Sequence, residues 1–132
     1  MKENMEIKTN INEICRIQHE AAKQKGFYDN PRELGTLLML IVSELGEALE
    51  ADRCGRLADV AAFRSEIADM ERLADRVDSF RTYVKDTLED EIADVFIRLF
   101  DLCGYLGIDI DEHIAMKMWY NSTRPQLHGK AY

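Results

Sequence analysis

The chain has 132 residues, a length that suits one compact domain and is too short for two ordinary ones. Its apolar content of 46% and charged content of 32% exclude a disordered chain. The formal net charge of −8 argues against a general nucleic-acid binder, because such proteins need a basic surface to displace counterions. No apolar run approaches the roughly 20 residues that a membrane-spanning helix requires, so we expect no membrane partner.

The chain contains few residues that break helices, with seven glycines and two prolines, which favours long helices over many short strands. Apolar residues recur at intervals of three and four, and no segment alternates with a period of two. Five helical patterns follow one another, with expected ranges 10–26, 30–54, 60–77, 86–105 and 109–121. We therefore predict an all-α fold, an antiparallel helical bundle of four to five helices forming a single domain over residues 1–132.

Specific residues mark some of the helix boundaries. Gly26 is expected to end the first helix. Asn30 and Pro31 indicate the start of the second, with Asn as the N-cap and Pro in the first helical position. After Val77 the third pattern either ends near residues 79–83 or continues with a kink.

Charge is distributed unevenly along the chain. All 25 acidic residues lie at or before Glu112, whereas the segment that follows carries Lys117, Arg124 and Lys130 and no acid. One interpretation is a basic tail that improves solubility or compensates a helix dipole. The other is that the upstream acids hold cations, and that the tail binds an anion that those cations bridge.

The three cysteines, Cys15, Cys54 and Cys103, are odd in number and form no CxxC pair, as is typical of reduced thiols in the cytosol. The first five residues form a polar segment around Lys2, Glu3 and Asn4 and lack the apolar region of a signal peptide. Together these features predict a cytoplasmic protein. Cys15 and Cys103 lie within apolar helical patterns, so we expect them in the core. The three histidines lack the spacing of a zinc site.

Two acidic pairs lie three residues apart within helical patterns, Glu44 with Glu47 and Glu91 with Asp94. Residues three apart share a helix face, and Glu44 and Glu47 each follow a leucine by one heptad, so both continue an apolar stripe. Carboxylates inside a bundle are costly unless they are protonated, paired or bound to a metal. Either these acids bind a metal, or they lie at the edge of the core and pair with Arg98 or another neighbour.

If both pairs face inward, the ligand type selects the metal. Four carboxylates without imidazole or thiolate suit a hard cation, Mg²⁺ with Mn²⁺ as a possible substitute, which retains waters and binds phosphate oxygens. A di-iron bundle is excluded because no histidine follows a glutamate by three residues. An EF-hand is excluded because no acidic segment has the required glycine and terminal glutamate at loop spacing.

Several separated segments resemble one known family in their order along the chain. The two acidic pairs, Glu44-Leu-Gly-Glu47 and Glu91-Ile-Ala-Asp94, resemble the ExxE…ExxD signature of the all-α nucleoside triphosphate pyrophosphohydrolases, the MazG-like group. Lys25-Gly-Phe-Tyr-Asp29 resembles the turn before the first acidic helix of that family. Lys117-Met-Trp-Tyr-Asn-Ser-Thr-Arg-Pro125, followed by His128-Gly-Lys130, resembles its closing segment. The likeness covers about residues 10–130 and departs over 48–90, which is longer than the common pattern and holds an additional charged helix.

The resemblance implies a helical bundle, usually a homodimer or a dimer of dimers, whose acids hold Mg²⁺. Such enzymes hydrolyse a (deoxy)nucleoside triphosphate to monophosphate and pyrophosphate, often to clear surplus or unwanted nucleotides from the pool. Cleavage between the α- and β-phosphates needs an aligned water and cations that neutralise developing charge.

The resemblance also assigns a role to each matching residue. The metal ligands would be Glu44, Glu47, Glu91 and Asp94. Glu47 is the residue that we favour for orienting or deprotonating the attacking water. The outer phosphates would be held by Lys117 and Arg124, with Asn121 hydrogen-bonding a phosphate or the sugar.

Other residues near these motifs have two interpretations each. Trp119 is expected in the core or an interface rather than as a stacking platform, whereas Phe27 and Tyr28 are candidates for stacking on a base. His19 is either an exposed histidine or a residue that reaches the pocket. Glu50 is either a solvent-facing acid or a further metal ligand. The alternative to a pyrophosphohydrolase is a non-catalytic acidic helical interaction module, and a two-metal nuclease is disfavoured because the chain has no extended basic groove.

Overall fold

The computed structural model describes residues 10–131, apart from the side chain of His128. Residues 1–9, with the polar segment considered above, lie outside the described part of the chain. Over residues 10–131 the chain forms six α-helices and no strand. The helices are α1 Ile11–Gln24, α2 Leu34–Arg53, α3 Val60–Ile67, α4 Leu73–Tyr83, α5 Leu88–Leu106 and α6 Ile110–Ser122. The predicted all-α class is therefore confirmed, whereas the expected count of four to five helices is wrong.

The extra helix arises because the third predicted helix is two helices. The chain breaks over residues 68–72, earlier than the predicted break, and α3 and α4 pack against each other. The rings of Phe63 and Phe80 meet edge to face at 6.0 Å, and the buried Ser79 hydroxyl donates to the Glu66 carboxylate at 2.5 Å. An apolar stripe at spacings of three and four fits one long helix and two short helices that pack on each other equally well.

The start of α2 also differs from the prediction. Asn30 and Pro31 lie outside the helix, and the N-cap position is occupied by Glu33, whose backbone is extended and whose side chain caps no N–H. Proline is tolerated in the first turn of a helix, but its fixed φ suits an extended segment as well. The Asn-Pro pair therefore did not determine where α2 starts. Gly26 does follow the end of α1, with the positive φ of +82° that glycine adopts readily.

The described residues divide into two compact units, each considered by itself below. Unit 1 consists of residues 10–29 and 100–131, and unit 2 of residues 30–99. The division falls within α5, between Leu99 and Phe100. No helix among residues 10–131 is both long and apolar enough to cross a membrane.

Unit 1 is held together by contacts between α1 and the elements that follow in sequence after residue 100. The Asp111 carboxylate accepts hydrogen bonds from the backbone N–H groups of Ile11 and Asn12, both at 3.1 Å. Gly104 of α5 lies so close to α1 that an added Cβ would be 2.7 Å from the Cys15 carbonyl oxygen, so this position needs a glycine. Asp109 caps α6 by accepting from the Glu112 N–H at 3.1 Å.

The cysteines of the chain are free thiols. Cys15 is buried and Cys103 is half-buried, whereas Cys54 is exposed. Burial is the main cause that raises the pKa of both Cys15 and Cys103, so these two thiols are protonated at neutral pH. The predicted core position is confirmed for Cys15 and only partly reached by Cys103.

Candidate functional site

Helix α2 buries one stripe of side chains, and a carboxylate interrupts it. The buried residues of α2 follow helical spacings of four and three, and they are Leu37, Ile41, Glu44, Ala48 and Ala51. Glu44 is the only charged member of this stripe and is 8% exposed. A carboxylate at such a position requires a partner, because burial of an unpaired charge is costly.

The part of α5 that belongs to unit 2 reverses the usual arrangement of an amphipathic helix. Glu91 is buried and Asp94 and Arg98 are half-buried, whereas Ile92 and Phe96 are exposed. A helix normally turns its apolar side chains inward and its charged ones outward. The inward-facing charges of α5 therefore point to a polar site inside unit 2.

The inward-facing acids of the two helices meet. One carboxylate oxygen from each of Glu44, Glu91 and Asp94 lies within 4.8 Å of the other two. Arg98 donates from Nε to Glu44 Oε1 at 2.6 Å, so Glu44 has Arg98 as a partner, and its binding of a metal stays a prediction. Within residues 10–131, the carboxylates of Glu91 and Asp94 have no hydrogen bond or ion pair.

The pKa values of the cluster reflect an excess of carboxylates over cations. Burial raises the pKa of Glu91, which is 4% exposed, and the nearby carboxylates of Glu47, Asp94 and Glu44 raise it further. The pKa of Asp94 is raised by burial and by Asp90 and Glu44, although Arg98 acts in the opposite direction. Protons are therefore held more tightly than in isolated carboxylic acids, and another cation is expected to compete for the same oxygens.

Glu47 is placed differently from the other three predicted ligands. Its side chain is exposed, because a step of three residues from Glu44 turns the side chain about 60° around the helix axis, away from the buried stripe. The condition that both members of this pair face inward is therefore not met by Glu47. It instead lines a cleft together with Glu91. Glu50, also exposed, lines the same cleft and accepts a hydrogen bond from the Cys54 thiol at 3.4 Å.

The donor set of the cluster fits a hard divalent cation. All the converging ligand atoms are carboxylate oxygens, with no sulfur or nitrogen ligand in the group. Mg²⁺ and Mn²⁺ bind carboxylates while keeping several waters, and the cleft beside Glu91 leaves room for waters or ligand oxygens. A dication would neutralise the unpaired charges of Glu91 and Asp94.

A second acidic group in unit 2 shares Glu91. The carboxylates of Asp86, Asp90 and Glu91 also approach within 4.8 Å of one another. Here Asp86 and Asp90 already have partners, unlike Glu91. Lys85 contacts the Asp86 carboxylate at 2.6 Å, and the Asp90 carboxylate accepts from the Asp86 N–H at 2.9 Å. Asp86 has a φ of +61°, and these contacts account for the turn that precedes α5.

The predicted phosphate-binding residues lie in unit 1. Lys117 and Asn121 are on α6 and Arg124 follows its C-cap residue Thr123. The Lys117 ammonium lies 5.1 Å from the centre of the Tyr120 ring, and the Arg124 guanidinium carbon 5.6 Å from it, both within range of a cation–π interaction. The two predicted cations of the closing segment thus flank one aromatic ring.

Unit 1 also contains a hydrogen-bonded network that the sequence did not indicate. The Asp101 carboxylate contacts His19 Nδ1 at 2.8 Å and accepts from the Tyr28 hydroxyl at 2.7 Å. The Tyr28 ring packs against His19 and Tyr105, with centroid distances of 4.7 and 4.8 Å. The expectation of an exposed His19 is wrong, because this network covers its ring.

Two predictions for aromatic residues have different outcomes. Trp119 is 47% exposed, so it is not a core residue among the described residues, and a role in an interface stays a prediction. Phe27 is 60% exposed, whereas Tyr28 is half-buried in the network with Asp101. Base stacking by either residue stays a prediction.

Two cations, Arg56 and Lys85, line the cleft beside Glu91 and were not predicted from the sequence. Both belong to the segment that departs from the family pattern, so no motif marked them. The only signal in the sequence was the position of Lys85 shortly before the second acidic pair. Comparison of the chain with protein-family models, with curated proteins and with solved structures gives no match in any of the three.

Proposed function

We propose that this chain is a Mg²⁺-dependent nucleoside triphosphate pyrophosphohydrolase of the MazG-like group. The observation that carries the proposal is the convergence of Glu44, Glu91 and Asp94 within 4.8 Å, with no cation among residues 10–131 paired to the carboxylates of Glu91 and Asp94. These residues are members of the two ExxE and ExxD pairs that the sequence singles out. The reaction converts a (deoxy)nucleoside triphosphate to its monophosphate and pyrophosphate.

The proposed metal ligands are Glu44, Glu91 and Asp94, with Glu47 at the edge of the cluster. Bound Mg²⁺, or Mn²⁺ in its place, supplies positive charge that stabilises the phosphate oxygens as negative charge develops on them. Arg98 fixes the Glu44 carboxylate through its hydrogen bond. This contact orients Glu44 for ligation.

Glu47 is the proposed general base. It is exposed to solvent and lines the cleft with Glu91, so a water molecule has access to its carboxylate. The proton of the attacking water goes to Glu47 while the water oxygen bonds to the α-phosphorus. The bond from the α-phosphorus to the bridging oxygen breaks, and pyrophosphate leaves.

Lys117 and Arg124 are proposed to hold the outer phosphates, and Asn121 to hydrogen-bond a phosphate or the sugar. Support comes from the position of both cations beside the Tyr120 ring, which concentrates positive charge at one place of unit 1. We further propose an antiparallel helical bundle in the cytoplasm that removes surplus or unwanted nucleotides.

The proposed assembly is a homodimer or a dimer of dimers. Next to its buried stripe, α2 has a second apolar stripe at helical spacing, formed by Leu38, Val42, Leu45 and Leu49. These four side chains are 46–52% exposed. Apolar residues repeated at intervals of four and three are typical of helices that pack on another helix, and a second copy would supply one.

The exposed α2 stripe also favours the second candidate function, a non-catalytic interaction module that binds a partner helix. One experiment separates the two candidates. The purified protein is incubated with a panel of ribo- and deoxyribonucleoside triphosphates and Mg²⁺, and the products are separated by ion-exchange chromatography. Monophosphate with pyrophosphate supports the hydrolase. Diphosphate with orthophosphate contradicts the proposed site of attack, and the absence of any turnover supports the module.

A further inference from the structure

A cleft of about 460 Å³ opens beside Glu91 in unit 2, within the range of about 300–1,000 Å³ that is typical of small-ligand sites. Its lining residues are Glu47, Glu50, Arg56, Lys85, Asp86 and Glu91. Glu47 and Glu91 connect the cleft to the carboxylate cluster. Arg56 and Lys85 have no role in the function proposed above.

Two hydrogen bonds to backbone groups of other residues fix the position of Arg56. Its carbonyl accepts from the Leu88 N–H at 2.9 Å, and its Nε donates to the Asp86 carbonyl at 3.0 Å. In the same loop, the Asp59 N–H donates to the Tyr83 carbonyl at 3.0 Å. The loop between α2 and α3 is thus joined to the loop before α5, and Arg56 is held at the rim of the cleft.

The Arg56 guanidinium retains hydrogen-bond donors for a ligand. Within residues 10–131 its Nε bonds a carbonyl, and its two terminal nitrogens form no ion pair, although the same cleft contains four carboxylates. Lys85 supplies a second positive charge, and its ammonium contacts the Asp86 carboxylate at 2.6 Å. An arginine with free terminal nitrogens binds two oxygens of a phosphate group at once.

The charge of the cleft determines when an anion can bind. The four carboxylates exceed the two cations, so a phosphate chain is repelled from the metal-free protein. A divalent ion on the carboxylate cluster offsets that excess. Phosphate oxygens can then bridge the ion and the guanidinium.

We propose that Arg56, with Lys85 beside it, binds the diphosphate portion of the substrate that leaves as pyrophosphate. This assignment rests on the proposed function and adds two cations from the additional segment to the phosphate-binding groups. It makes pyrophosphate binding dependent on both the divalent ion and Arg56. It also gives the segment over residues 48–90 a role in substrate binding.

The test measures binding of inorganic pyrophosphate by isothermal titration calorimetry, with and without Mg²⁺. We expect the wild-type protein to bind pyrophosphate with Mg²⁺ present and not without it. Arg56→Ala should weaken that binding by about 10- to 100-fold, as expected for loss of charge-assisted hydrogen bonds. Arg53→Ala is the matched control, because Arg53 is an exposed arginine of the same unit that does not line the cleft.

The inference is overturned if the wild-type protein binds no pyrophosphate with Mg²⁺, if Arg56→Ala binds as tightly as wild type, or if Arg53→Ala loses as much affinity as Arg56→Ala. Thermal unfolding checks the fold of each variant. If Arg56→Ala does not fold, Lys85→Ala replaces it, with an expected loss of several-fold. An unchanged affinity in Lys85→Ala would then overturn the proposal.

Hydrolysis of nucleoside triphosphates by the wild-type protein is measured separately. Turnover combined with an unchanged pyrophosphate affinity in Arg56→Ala contradicts this inference and leaves the hydrolase proposal standing. Pyrophosphate binding that depends on Arg56, without any turnover, supports this inference and contradicts the hydrolase proposal. The two proposals therefore fail in distinguishable ways.

Discussion

Carboxylates have different surroundings in the two units. In unit 1, Asp101 contacts the imidazole of His19 and the hydroxyl of Tyr28. In unit 2, Glu91 and Asp94 have no hydrogen bond or ion pair among residues 10–131. The pKa values differ accordingly: a hydrogen bond from Asn12 is the main cause that lowers the pKa of Asp109 in unit 1, whereas burial raises that of Glu91 in unit 2.

This difference separates acids that have hydrogen-bond partners from buried acids whose charge no neighbour among residues 10–131 compensates. A buried carboxylate with donors stabilises the folded protein through charge-assisted hydrogen bonds. A buried carboxylate without them destabilises the metal-free protein, and such a cost is typical of functional sites. The contrast between Asp101 and Glu91 can be tested directly.

The largest expected effect is on turnover. Glu47→Gln removes the proposed general base while keeping the shape of the side chain, so kcat should fall by about 10²- to 10⁴-fold. Because Glu47 is exposed, the thermal unfolding midpoint should change little. Steady-state release of pyrophosphate measures the rate. Asp52→Asn, an exposed acid of the same helix that does not line the cleft, is the control. A variant with near-wild-type kcat would remove Glu47 from the mechanism.

Exchange of a carboxylate for an amide should have opposite effects on stability in the two units. Glu91→Gln removes a buried unpaired charge, so the free energy of unfolding of the metal-free protein should rise at neutral pH, while Mg²⁺ affinity falls by at least about 100-fold. Asp101→Asn leaves donors of His19 or Tyr28 poorly satisfied, so the free energy of unfolding should fall by about 1–3 kcal/mol, with Mg²⁺ affinity retained. Chemical denaturation and calorimetry measure the two quantities.

If both variants are destabilised alike, the distinction between partnered and unpartnered acids does not hold. Retention of Mg²⁺ affinity in Glu91→Gln would exclude Glu91 as a ligand.

A smaller effect is expected from the cations of unit 1. Lys117→Ala should raise KM for the nucleotide about 10-fold with little change in kcat, because the lost interaction is made in the ground state and the transition state alike. Lys23→Ala, which removes an exposed lysine paired with Glu20 on α1, is the control. Unchanged steady-state kinetics in Lys117→Ala would count against its contact with phosphate.

The pH dependence should be the smallest effect. The pKa of Glu91 is raised in the folded state, so its contribution to stability is complete below the unfolded pKa of about 4.3 and is lost as the pH rises through the folded pKa. The stability advantage of metal-free Glu91→Gln over wild type should therefore grow with pH. Stabilisation of wild type by Mg²⁺ should grow over the same range, because the ion binds the deprotonated carboxylates. Denaturation curves at several pH values measure the free energy of unfolding of both proteins. A difference between them that stays constant with pH would contradict the prediction.

The sequence predicted the two acidic pairs and missed how each member is oriented. A spacing of three is a local property, and it places two side chains near each other on any helix. Which of them is buried depends on the neighbouring elements. Glu44 and Glu91 are buried, whereas Glu47 faces the cleft. Arg56 could not be predicted, because loops distant in sequence bring it to the rim.

The sequence by itself determined the all-α class and the approximate extent of most helices, because helical periodicity and helix-ending glycines act within a few residues. Only the tertiary structure decided that the third pattern divides into α3 and α4, that α5 turns charged side chains inward, and that Asp101 joins His19 to Tyr28. The physical reason is that burial, and with it the cost of an unpaired charge, is set by residues far apart in the chain.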